Sequence, residues 1–235
     1  MSLCMVAPAR AQLPPNTLWQ VIDSLCVPGK KAGTGPKPCS DVDLEQGIAV
    51  LAVDTAHLLV APTRRLSGIE SPEILAADAP NYWAYAWHLR GKVEEAIGRQ
   101  LSRGDVAMAI NAVSGRSQDQ LHIHLGCIRP EVRAALQIYE ANIGPTWSKL
   151  PFAVVGQKYH IMRLNQEALG ATDPFKSLAS GIPGAKASMG NWTIVVAGAE
   201  FRSGGGGFYF LASDSAPNGE GLLEFKCSVA TPSPN

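Results

Sequence analysis

Residues 115–130, GRSQDQLHIHLGCIRP, place two histidines one residue apart inside an apolar run, in a chain that has five histidines among 235 residues. Read as a strand, this stretch puts Gln120, His122 and His124 on one face and Leu121, Ile123 and Leu125 on the other. The apolar face suits packing against helices, which leaves the polar face available. Same-face neighbours stand roughly 6.5–7 Å apart along a strand, close enough for both imidazoles to surround one phosphoryl group. Three readings compete. The histidines are satisfied residues of an ordinary half-exposed strand; or they are half of a metal site, completed by His57, His160 or Asp119; or one is a nucleophile attacking phosphorus while its neighbour and nearby donors hold the developing charge.

Around this stretch the pattern is that of an α+β chain. DVAMAIN (105–111) and QLHIHLGCI (120–128) are strand-like runs around a Gly/Ser/Arg turn and make a hairpin candidate. GIAVLAVD (47–54) and HLLVAP (57–62) read as another pair of strands. NTLWQVIDSLC (16–26) opens on cap residues Asn16 and Thr17 and spaces its apolar residues as a helix does. SPEILAAD (71–78) reads as a capped helical turn, residues 79–101 as the longest helix, and RPEVRAALQIYEANIG (129–144) as a helix with Pro130 in its first turn. Further on, PFAVVG, KYHIMRL, NWTIVVAGAEF, GFYFLAS and LLEFKCSV read as five short strands, with a helix near TDPFKSLAS (172–180). Both halves hold a helix and several strands, consistent with an internal pseudo-duplication.

Twenty acidic and twenty basic residues balance, and nothing clusters as a nucleic-acid binder requires. No 18-residue apolar run is present, so no complete transmembrane helix is expected. MSLCMVAPARAQLPP reads as the remnant of a leader or anchor, with ARA resembling a signal-peptidase site. Cys4 falls within it and leaves Cys26, Cys39, Cys127 and Cys227. Cys26 and Cys39 flank a Gly/Pro/Lys loop that a disulfide would close, worth on the order of 3 kcal/mol. Elimination pairs Cys127 with Cys227, and four reduced cysteines are the alternative. No CxxC pair points to zinc.

SQDQLHIHLGC resembles the motif of the histidine-triad superfamily, in which histidines alternate with apolar residues on one strand. That resemblance makes His122 the nucleophile and His124 the last triad position; Gln120 stands where the superfamily has its first histidine, with an amide that both donates and accepts. HLLVAPTRRLSGIESP resembles the superfamily's strand that runs from histidine to proline, and so brings His57 to the site. AINAVSGRSQDQ places Asn111 and Ser117 where related proteins contact phosphate. Over residues 18–136 and at the closing Cys227, the combination of GIESP with LHIHLGCIRP resembles the bacterial CDP-diacylglycerol pyrophosphatase family.

The resemblance implies a histidine-triad-like antiparallel sheet flanked by helices, with a C-terminal β-rich extension or degenerate second half. Residues 1–14 are then the leader or anchor remnant or an ordinary disordered tail, 15–144 the catalytic core, 145–230 a β-rich part of the same domain and 231–235 a disordered tail. It implies hydrolysis of CDP-diacylglycerol to CMP and phosphatidate through a CMP–histidine intermediate on His122. His124, Asn111, Ser117, Gln118, Gln120 and His57 would surround the phosphates, and no metal or cofactor is required. A backbone carbonyl accepting from the second ring nitrogen of His122 would fix its tautomer. The implied setting is the periplasmic side of the bacterial inner membrane, with a membrane surface but no nucleic acid as partner. The alternatives are a histidine-triad enzyme acting on a soluble nucleotide pyrophosphate and a non-catalytic nucleotide or lipid-head-group binder.

Three other features are ambiguous. The aromatic residues Tyr82, Trp83, Tyr85 and Trp87 suit either a core or an acyl-binding surface. His88 reads as a helix-surface residue. SGGGGFYF (203–210) lacks the Lys-Ser/Thr ending of a phosphate loop and reads as a hairpin turn.

Overall fold

The computed structural model describes residues 13–166 and 168–228. The leader reading, including Cys4 but apart from residues 13 and 14, and the tail reading lie outside them. The chain is an α+β fold on one large antiparallel sheet. Its strands are β1 (Asp41–Asp43), β2 (Ile48–Asp54), β3 (His57–Pro62), β4 (Val106–Ile110), β5 (Ile123–Ile128), β6 (Ser148–Lys149), β7 (His160–Leu164), β8 (Thr193–Glu200), β9 (Gly206–Ser213) and β10 (Leu223–Glu224). They run in the order β1-β2-β3-β5-β4-β8-β9-β7-β6, and β10 pairs with the far end of β5. The order is symmetric about the β4–β8 pair: β2-β3-β5-β4 on one side is mirrored by β8-β9-β7-β6 on the other. In each half, two paired strands, a helical segment and two more paired strands follow in sequence.

The helices are α1 (Thr17–Val21), α2 (Val27–Lys31), α3 (Tyr82–His88), α4 (Arg90–Ile97), α5 (Pro130–Tyr139) and α6 (Pro174–Gly181). One face of the sheet carries Leu58, Val60, Met108, Ile123, Leu125 and Phe210, packed with Trp83, Trp87, Val93 and Phe175 of α3, α4 and α6 in the main core. The aromatic residues of α3 are therefore core: Trp83 is fully buried, and Tyr82 and Trp87 nearly so. His88 is on the surface, as expected. Against the opposite face, α5 packs through Val132 and Leu136, and α1 with its continuation through Leu18 and Ile22. The histidine face lies on that second side, between these two smaller cores.

Several elements differ from expectation for local reasons. The long helix of 79–101 breaks at Leu89, which takes φ −80°, ψ −1° between α3 and α4. The first helix continues past Cys26 through a π turn (Ile22–Cys26) into α2; the wider turn precedes Pro28, which has no N–H to extend an α ladder. Asn16 gives no side-chain cap, its Oδ1 accepting from Arg65 Nη2 instead at 2.5 Å. PFAVVG forms a single bridge, Val154–Gln157, and the edge strand is Ser148–Lys149. Among the described residues of LLEFKCSV, only Leu223 and Glu224 are a strand. SPEILAAD is a short 3-10 turn over Pro72–Leu75. The glycine run makes the β8–β9 hairpin, with Gly204 and Gly205 at positive φ.

Both expected disulfides form, Cys26–Cys39 and Cys127–Cys227. They fit an oxidising, extracytoplasmic compartment. Among the described residues no helix is long and apolar enough to cross a membrane.

Candidate active site

The histidine pair lies mid-sheet, because β5 pairs with β3 on one side and β4 on the other. Ala109 lies opposite His124, so a small residue leaves room for the ring on the shared face. His122 immediately precedes the hydrogen-bonded strand, which starts at Ile123. Leu121, Ile123 and Leu125 are fully buried in the main core, as the alternation predicts.

His122 is 7% exposed. Its Nδ1 lies 2.6 Å from the carbonyl oxygen of Gln120, so Nδ1–H donates and Nε2 carries the lone pair. Burial, followed by the charge of neighbouring His124, lowers its pKa to about 4 and outweighs the opposing Gln120 bond. The ring thus stays neutral at neutral pH with one nitrogen available to attack.

His124 belongs to a second network. Its Nδ1 lies 2.9 Å from Glu220 Oε2 and 2.9 Å from His57 Nε2. Its ring centroid is 4.9 Å from that of His122. Its Nε2 is buried and has no hydrogen-bond partner among the described residues. His57, at the start of β3, is held by the ring of Phe225, stacked at 3.6 Å between centroids and 9° between planes. Burial, then the charge of His124, lowers the His57 pKa to about 4. Burial pushes Glu220 upward, but its bond to His124, the charge of that ring and a bond to Asn111 hold it at about 2.

One ligand atom from each of His57, His124 and Glu220 lies within 4.8 Å of the other two, a donor set that zinc accepts. Tetrahedral zinc with bonds of about 2.0–2.2 Å spaces its ligands roughly 3.3 Å apart. Two separations of 2.9 Å on one shared nitrogen are instead those of hydrogen bonds.

The remaining sequence-predicted residues take different places. Asn111 Oδ1 accepts the backbone N–H of Glu220 at 3.1 Å. Gln120 is fully buried; its amide donates to the carbonyls of Pro62 (3.0 Å) and Arg64 (2.9 Å) and accepts from Leu66 N–H. Gln120 therefore ties the histidine strand to the end of β3 and the loop after it. Gln118 accepts from Leu18 N–H at 2.8 Å and donates to the Pro14 carbonyl, capping α1 rather than facing the histidines. Ser117 is exposed on the β4–β5 loop. Arg116 in that loop pairs with Glu70 (2.5 Å) and Asp119 (2.9 Å). A Cβ on Gly68 would meet Arg116 Nη1 at 2.1 Å, so the glycine of GIESP makes way for this guanidinium. His160 is separate, tilted against Trp192.

Sequence reasoning missed Glu220 and Phe225. Both come from the segment after β9, where a 3-10 turn (Gly219–Leu222) leads into β10. The Cys127–Cys227 bridge ties this segment to β5. Gly126 is the local signal: a Cβ there would stand 2.9 Å from both Ala56 O and Phe225 Cδ1.

Residues 13–231 match the family model for CDP-diacylglycerol pyrophosphatase. The chain is 38% identical over 183 residues to a CDP-diacylglycerol pyrophosphatase of Yersinia pestis, covering 77% of this chain and 71% of that protein.

Proposed function

The chain belongs to the CDP-diacylglycerol pyrophosphatase family, and we infer from that membership that it hydrolyses the pyrophosphate bond of CDP-diacylglycerol, releasing CMP and phosphatidate. We propose further that His122 is the nucleophile. The observation that carries this is its fixed tautomer: Nδ1–H is bound to the Gln120 carbonyl, so Nε2 presents a lone pair. That nitrogen attacks the cytidylyl phosphorus, phosphatidate leaves, and water resolves the CMP–histidine intermediate.

The main catalytic tasks on a pyrophosphate are positioning and the stabilisation of spread negative charge. His124 Nε2 meets a phosphoryl or bridging oxygen. We assign Asn111 and Ser117 to contacts with the phosphates, and Gln118 and Gln120 hold the loop and strand that carry the histidines. His57 acts beside His124. No step calls for a metal ion.

The symmetric strand order supports reading the sheet as two histidine-triad-like halves. Residues 15–144 form the catalytic half, and 145–230 a degenerate second half within the same domain. The second half still serves catalysis, because it supplies Glu220. The disulfides and the lipid substrate together favour action at the periplasmic side of the inner membrane.

The test is replacement of His122 with Ala, with CMP release from CDP-diacylglycerol in mixed micelles as the readout. Turnover should be abolished while the thermal melt stays cooperative. Near-native turnover in a folded variant would remove His122 from this role.

A further inference from the structure

We infer that Glu220 is a positioning residue that makes His124 the proton shuttle of both half-reactions, donating to the departing phosphatidate oxygen and then accepting from the water that resolves nucleotidylated His122. The inference rests on the assignment of His122 as nucleophile. Three observations carry it. Glu220 Oε2 and His57 Nε2 both take the Nδ1 side of His124 at 2.9 Å, so Nε2 is the nitrogen left to exchange a proton. That Nε2 is buried without a partner among the described residues, which is costly unless a ligand oxygen completes it. The His122 and His124 rings lie 4.9 Å apart, which brings this nitrogen to the phosphorus that His122 attacks.

Glu220 is itself held firmly. Its backbone N–H donates to Asn111 Oδ1. Pro217, just before it, accepts from Ala112 N–H and Thr193 Oγ1. Other ionisable groups act on the cluster from β3 (His57), the end of β2 (Asp54), the residue just before β5 (His122) and the β4–β5 loop (Arg116). Arg116 is paired with Glu70 and Asp119, and Glu220 is the carboxylate bonded to His124.

In the first half-reaction His124 enters as the imidazolium, with protons on both ring nitrogens, and the His122 Nε2 lone pair forms a P–N bond. The bond from phosphorus to the bridging oxygen breaks, its electron pair goes to phosphatidate, and the His124 Nε2 proton moves to that oxygen. In the second, water oxygen bonds to phosphorus and one water proton passes to His124 Nε2. The P–N bond breaks with its electrons returning to His122, and CMP leaves carrying the remaining water proton until it ionises. The Glu220 carboxylate offsets the charge of the imidazolium in both steps.

Glu220→Gln tests this, because it keeps an oxygen acceptor for Nδ1–H and the backbone bond to Asn111 but removes the charge. Two substrates separate the steps: CDP-diacylglycerol, and the p-nitrophenyl ester of CMP, whose leaving group departs without a proton. The variant should lose about 100-fold in kcat/KM on CDP-diacylglycerol and change by less than about 3-fold on the ester. With the ester it should release one burst of p-nitrophenolate per site and then stall, with CMP retained on His122. In the wild type, kcat/KM should show a normal solvent deuterium effect with CDP-diacylglycerol and none with the ester, a readout that needs no variant to fold. Equal losses on both substrates, or no burst and no isotope difference, would overturn the shuttle. If His122→Ala is inactive and Glu220→Gln matches wild type, this inference alone fails. If His122→Ala still turns over, the nucleophile is misassigned and the shuttle falls with it.

Discussion

Acid tolerance follows directly from the burial of His122. The attacking Nε2 must be unprotonated, and the ring is 7% exposed with its pKa lowered from 6.5 to about 4, first by burial and second by the charge of His124. At pH 5, a histidine at 6.5 is about 3% neutral, whereas one at 4 is about 90% neutral, a difference of roughly 30-fold in competent enzyme. The acid limb of kcat/KM for CMP release should therefore fall near pH 4. Stability moves in the same window. With the folded pKa below the unfolded one, the unfolded chain binds more protons between those values. The stability contributed by neutral His122 is present above pH 6.5 and is lost as pH falls toward 4, by on the order of 3 kcal/mol. His57 acts in the same direction. The assay is CMP release from mixed micelles between pH 4 and 8, with circular dichroism at each pH to restrict the fit to folded protein. An acid limb near 6.5 in folded protein would refute the reasoning, because it would mean that His122 is solvated in the working enzyme.

Other perturbations should act through the frame. Cys227→Ser opens a bridge of sequence separation 100 and should cost up to about 4.7 kcal/mol in chemical denaturation. It should also lower kcat, since it loosens the segment carrying Glu220 and Phe225. Gly126→Ala puts a Cβ 2.9 Å from Ala56 O and Phe225 Cδ1; a loss of about 1–3 kcal/mol is expected from overpacking. Activity should fall with it, since Phe225 braces His57, and a wild-type melt and rate would show that the ring moves freely. Gln120→Ala strands Leu66 N–H and the carbonyls of Pro62 and Arg64. It should destabilise the fold by roughly 2–5 kcal/mol in a thermal melt, and a change below about 0.5 kcal/mol would show that the amide is no strut.

The histidine face was legible because strand alternation is a local property: Leu121, Ile123 and Leu125 commit one side to the core, and His122 and His124 follow onto the other. The β2–β3 and β4–β5 pairings, and the helices at 129–144 and 172–180, were readable for similar reasons. Glu220 was not. It lies in the polar stretch PNGEG, which looks like any turn, and its role depends on a long-range return of the chain beneath β5. The break at Leu89 and the π turn before Pro28 were hidden because apolar periodicity runs through both. Gln120 shows how a motif position differs from a role. Its place came from the strand pattern, but its amide faces the backbone of β3 and the following loop, which only the packed structure reveals.

The central claim is covalent nucleotidyl transfer to His122, and intact-protein mass spectrometry after a rapid quench without acid tests it most directly. Incubation with the p-nitrophenyl ester of CMP should give a CMP-sized adduct on Glu220→Gln protein, mapping by peptide analysis to His122 and absent when His122 is also replaced by Ala. An adduct on another residue, or CMP release by protein lacking His122, would contradict the account.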